Sequence, residues 1–224
     1  MLRTLFLILL TGTLTAPVQA APTKQVVQVR GDSVLRQLVQ KVASSGAFEA
    51  VVEKLETNLK DATKSRVVMR VWGKKPHLVR VEVIDHHNPQ TKGFKLFYTG
   101  GSPNVRVQAG GALKFIQRDF PMSHPDIATA NGYRLDAVDL YGLLSRLSRP
   151  GYTIQSVGDG VLEIRPKGKH PLDGRITRER LGFDPMTLQL RFWEAYTQGN
   201  SPFYRLNIQK MSLLNTLPDS QLKL

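Results

Sequence analysis

The chain has 224 residues, with 31 Lys and Arg against 18 Asp and Glu, and a formal net charge of +13. It contains no cysteine, which excludes a disulfide framework, a thiolate metal site and a lipid-modified cysteine anchor. A balance this basic predicts anionic surroundings, such as lipid headgroups, an envelope polymer or nucleic acid, and the length suits one domain with a large core.

Residues 1–20 read as an export signal: Arg3 supplies the positive start, Leu5 to Leu10 the apolar segment and Val18-Gln19-Ala20 the small-residue cleavage pattern. The apolar run is shorter than the roughly 20 residues a spanning helix needs, so a periplasmic or secreted protein, cleaved near Ala20, is expected. Residues 21–31 read as a flexible lead-in and 32–224 as the folded domain. Asp32 or Ser33 caps a predicted helix running to about Ser44, with Val34, Leu35, Leu38, Val39 and Val42 at helical spacing. A second helix is predicted over 47–59 from Phe48, Val51, Val52, Leu55 and Leu59.

Strands are predicted next, at 65–72, 78–85, 93–99, 104–109 and 112–118. The first two form a hairpin. Val67, Met69 and Val71 share one face opposite Arg66 and Arg70, and Val79, Val81 and Val83 alternate with Arg80 and Glu82. Gly73 and Pro76 punctuate the connection. Residues 121–132 read as a loop. A helix over 135–149 carries Leu135, Val138, Tyr141, Leu144 and Leu147, and Pro150-Gly151 ends it. Strands at 152–157, 160–166, 174–183, 187–197 and 203–212 complete the chain. Few helices separate the strands, so the sheet is expected to be antiparallel. About ten or eleven strands must curl around a hollow, lined by Val67, Met69, Val71, Val79, Val81 and Val83, with Leu96 and Tyr98 adjoining. Helices of the chain itself or a ligand can occupy that space.

The hairpin Trp72-Gly73-Lys74-Lys75-Pro76-His77-Leu78-Val79-Arg80, with Leu181-Gly182-Phe183-Asp184-Pro185-Met186-Thr187 and the closing Asn215-Thr216-Leu217-Pro218-Asp219, resembles the periplasmic lipoprotein-carrier (LolA/LolB-like) superfamily, and in particular its secreted members of unestablished function. The resemblance implies an α+β fold, a curved antiparallel half-barrel with helices covering the open side. It also implies a hydrophobic cavity that holds lipid or lipoprotein acyl chains in a carrier; a monomer without enzymatic activity or cofactor is expected. It places a lid-latching basic residue at Lys75, where a lysine offers a point donor rather than the fork of an arginine. It expects an apolar aromatic at Val79, where this chain has a smaller side chain.

The remaining chemistry-bearing residues form no motif. His77, His86, His87, His124 and His170 show no metal-ligand spacing, and Asp119, Asp126, Asp136 and Asp139 no acid–base pairing. No catalytic or metal residue is expected. Lys167-Gly168-Lys169 and Arg175, Arg178 and Arg180 form basic clusters without interleaved aromatics, which argues against nucleic acid. They leave a second reading: a scaffold whose basic face contacts an anionic polymer or membrane.

Overall fold

The computed structural model describes residues 31–224. The expected export signal, its cleavage near Ala20 and the lead-in up to residue 30 lie outside the described residues. Among those described, no helix is long and apolar enough to cross a membrane.

Helix α1 (Gly31–Ser44) is followed by β1 (Ala47–Thr57), β2 (Lys64–Lys74), β3 (Leu78–His86), β4 (Lys95–Thr99), β5 (Asn104–Gln108) and β6 (Gln117–Pro121). Then come α2 (Leu135–Val138), α3 (Leu140–Leu147), β7 (Tyr152–Gly158), β8 (Val161–Pro166), β9 (Arg178–Phe183), β10 (Leu190–Tyr196) and β11 (Tyr204–Leu214). The strands form one unclosed antiparallel sheet in the order β6-β5-β4-β3-β2-β1-β11-β10-β9-β8-β7. The first and last strands therefore pair at its middle, and β6 and β7 are its two edges. The chain between β6 and β7 must cross from edge to edge, and this places α2 and α3 over the concave side.

Three expectations need correction. Residues 47–57 are the central strand, not a helix. Ala47 to Thr57 pairs residue for residue with Lys74 to Lys64 on one side, and with β11 on the other. Phe48, Ala50 and Val52 point into the core on a period of two, and the half-buried Val51 and Leu55 opposite them produce a misleading helical spacing. The helix expected over 135–149 is two helices, because Asp139 has extended backbone and caps α3, Oδ1 accepting from Gly142 N at 2.8 Å. The strand expected at 112–118 begins later: residues 111–113 form a 3-10 turn, and β6 starts at Gln117.

The hollow is unevenly filled. Over β1 and β8–β11, Leu35, Leu38 and Val42 of α1 and Leu143, Leu144 and Leu147 of α3 pack on Leu162, Ile164, Leu181 and Trp193. Over β3–β5 a separate cluster gathers Val79, Val81, Tyr98, Val105 and Val107 under Met122 and Ile127 of the crossing segment. Two rings lie flat on neighbouring strands: Phe48 covers Gly73 and Phe192 covers Gly182, where any Cβ would collide with the ring. On the convex side Leu217 and Leu222 of the C-terminal segment cover Trp72 and Ala47.

Candidate functional site

A cavity of about 520 Å³ remains between the two clusters, inside the range of about 300–1,000 Å³ typical of small-molecule sites. Alternation along each strand builds its wall. Ala50 and Val52 of β1, Val67, Met69 and Val71 of β2, Val81 and Val83 of β3, and Leu96 and Tyr98 of β4 face it from the sheet. Leu135, Val138, Leu140 and Leu143 close it from the helices. Cross-strand pairing of Val71 with Val81 and of Met69 with Val83 makes the floor continuous. Of the residues read from sequence as the lining, Val67, Met69, Val71, Val81, Val83, Leu96 and Tyr98 border this cavity. Val79 does not: it is fully buried opposite Tyr98, in the core beside it.

Lys54, His86, Thr91, Asp126, Thr129 and Asp139 are polar residues of the cavity lining. Lys54 Nζ is 2.9 Å from Glu56 Oε2. Burial opposes the Glu56 charge, but Lys54 and Asn131 outweigh it and hold the carboxyl below its ordinary range. That carboxylate fastens the crossing segment: Asn131 N and Nδ2 donate to Oε1 at 3.0 and 2.9 Å, and Asn131 Oδ1 accepts from Leu59 N at 2.9 Å. Burial also lowers the His86 pKa, helped by the adjacent His87 and by Lys54.

Asp139 ties the start of α3 to the sheet. His77 Nε2 donates to Asp139 Oδ2 at 2.8 Å, the Tyr98 hydroxyl donates to the same oxygen at 2.9 Å, and Oδ1 caps α3. Burial opposes a charge on His77, yet the Asp139 carboxylate, with Asp136 behind it, raises its pKa above the usual imidazole value. Burial, with Asp139, pushes the Tyr98 phenol well up and keeps it a donor. Lys75 donates to the Ala43 carbonyl at the end of α1. Glu56, His77, Asn131 and Asp139 escaped the sequence reading, because their partners lie 62 and 75 residues away. The one local signal was Asp139, an N-cap residue three positions before Gly142.

The basic stripe expected on β9 is largely paired. Arg178 and Arg180 reach Glu163 at 3.9 and 3.2 Å and stack on Tyr196 at 4.3 and 5.6 Å. Asp85, next to His86 and His87, binds Arg66 at 2.6 Å.

No family model matches the chain, and no curated protein matches it either. Solved structures do. MucB superposes with a TM-score of 0.51 at 13% identity, over 87% of this chain and 62% of that one. The matching chain of a MucA/MucB complex from Pseudomonas aeruginosa gives 0.42 at 16%, over 86% and 61%. A LolA superfamily protein from Nitrosomonas europaea gives 0.38 at 12%, over 87% and 98%. At such identities the likeness concerns the fold alone, here a curved half-barrel: among the described residues, an open, eleven-stranded antiparallel sheet with helices across its hollow.

Proposed function

We propose that this chain is an exported, non-enzymatic envelope protein that shelters the apolar chain of a lipid or lipoprotein in its hollow, as a carrier or chaperone. The observation that carries the reading is the apolar cavity of about 520 Å³ left between two packed clusters. A well-packed interior holds few voids larger than a water molecule, and a cavity walled by Val, Leu and Met stays dry and favours hydrocarbon. Burying a chain there is worth about 0.8 kcal/mol per methylene.

An entry route supports the same reading. The β5–β6 turn exposes Leu113 at 54% and Phe115 at 77%, with Lys114 between them and Arg118 following. Its Gly110 packs on the backbone of Lys92 and Gly93, next to the cavity residue Thr91. Apolar tips with adjacent cations suit the surface of an anionic bilayer, where each Lys or Arg adds about 1 kcal/mol. An acyl chain would then pass from the bilayer to the cavity over a short rim.

The test is native mass spectrometry of the protein purified from its own envelope fraction, with lipid extraction. An acyl-chain species bound at defined stoichiometry is expected. Ligand-free protein that also fails to take up a fluorescent fatty acid overturns the reading.

A further inference from the structure

The opposite face of α3 borders a second depression of about 670 Å³, formed with the 150–152 turn and the 166–172 loop. Four cations line it: Arg146, Arg149, Lys167 and Lys169. Among the described residues Asp136 is the one carboxylate that lines it, and that group is already bound to Arg134 at 2.9 Å. Arg149, Lys167 and Lys169 are exposed and form no ion pair among the described residues. The first thirty residues contain no Asp or Glu that could neutralise them.

Arg146 is the unusual member. Its side chain is only 10% exposed. Nη1 alone reaches both oxygens of the fully buried Glu179, each at 2.8 Å, and the guanidinium lies 5.5 Å from the centre of the Trp193 ring. Glu179 is also met by His170 Nε2 at 3.0 Å and by Trp193 Nε1 at 2.9 Å. An arginine holding a carboxylate ordinarily spends two nitrogens on it. Among the described residues Nε and Nη2 are buried without a well-formed hydrogen bond, as is the Tyr152 hydroxyl, which lies against the guanidinium and is acted on by it. Unpartnered buried donors on a charged group are costly and rare in native proteins. Arg146 and Tyr152 both line the depression.

We propose that this groove binds a phosphate-type oxyanion, with the free edge of the Arg146 guanidinium and the Tyr152 hydroxyl as its inner contacts and Arg149, Lys167 and Lys169 as its rim. The rim cations attract the anion, and a planar guanidinium edge suits two of its oxygens. Nε and Nη2 are closed to solvent in this structure, so an oxyanion reaches them only when a neighbouring side chain moves aside, and the Tyr152 hydroxyl is the group recorded against the guanidinium. The same helix faces the apolar cavity through Leu140 and Leu143, and an anion seated here would bear on the lid from outside.

The experiment is a titration of the full chain, followed by ¹H–¹⁵N NMR at the Gly151 and Gly168 amides and the arginine Nε–H groups, at constant ionic strength. The probes are inorganic phosphate and a short-chain phosphatidic acid below its micelle concentration. Saturable shifts with inorganic phosphate support the site and show that the free anion suffices. Saturation with the phosphatidic acid alone supports it with a lipid headgroup as the source. The triple variant Arg149→Gln, Lys167→Gln, Lys169→Gln should lose at least tenfold in affinity while taking up a fluorescent fatty acid as the parent does. That readout separates this site from the acyl-chain reading. Arg146→Lys keeps the charge opposite Glu179 but lacks the fork, and should also weaken binding. Shifts that never saturate with either probe, or a triple variant with the parent's affinity, overturn the proposal.

Discussion

Ala50→Phe tests the cavity most directly. Ala50 sits on the central strand, faces the hollow, and pairs with Val71 on one side and Met211 on the other. A phenyl ring there occupies space that a ligand would otherwise fill. Each methylene sheltered in the cavity contributes about 0.8 kcal/mol, a factor of roughly four in Kd. A series of saturated fatty acids titrated against the parent should therefore tighten about fourfold per added methylene until the cavity is full, then level off. If the ring displaces about four methylenes, the loss for long chains is about 3 kcal/mol, or more than a hundredfold in Kd, and the plateau moves to shorter chains. Val51→Phe, on the same strand but outside the cavity lining, serves as the control and should leave the series unchanged. Displacement of a fluorescent fatty acid reads all three proteins. A flat chain-length series, or an Ala50→Phe protein that keeps the parent's plateau, would refute the placement of the chain in this cavity.

Val81→Glu puts a carboxylate into the apolar wall beside Val71. Loss of fatty-acid uptake is expected, with destabilisation of about 2 kcal/mol or more in urea unfolding; a stable variant that still binds contradicts the face assignment. The His77 pKa is raised in the folded state, so its pairing with Asp139 stabilises fully below the unfolded imidazole value of 6.5 and is lost as pH rises through the folded value. His77→Gln should remove this component from stability measured across that window, and an unchanged pH profile would show that the pair does not titrate. Asn131→Ala deletes the contacts that tie the crossing segment to Glu56 and Leu59. It should cost about 2–4 kcal/mol by leaving a buried carboxylate short of donors and should speed hydrogen exchange over 122–133; protection equal to the parent's would count against this tether.

The β2–β3 hairpin was legible in the sequence because apolar and charged residues alternate along both strands. The alternation of Val67, Met69 and Val71 with Arg66 and Arg70 then fixes both the period and the inward side. An open curved sheet also follows from the number of strands and the scarcity of helices between them. Residues 47–57 were not legible. Phe48, Val51, Val52 and Leu55 fall at helical spacing, because a central strand buries part of both faces, and only the flanking β2 and β11 select the strand. The split of the long helix at Asp139 was hidden for a related reason. An aspartate in a helical run is tolerable in isolation, and what makes it a cap here is the grip of His77 and Tyr98, which approach from distant strands.

Local pattern thus determined that a curved antiparallel sheet would present an apolar face, since hydrophobic periodicity is written residue by residue. Whether that face would enclose space was decided only in three dimensions. The edge-to-edge crossing between β6 and β7 brings α2 and α3 over the hollow; α1 and α3 fill one part, Met122 and Ile127 cover another, and a cavity stays open between them. The same packing buries Arg146 against Glu179 and leaves two of its nitrogens without a well-formed hydrogen bond among the described residues. Volume and polar satisfaction depend on all surrounding elements at once, and no window of sequence contains them.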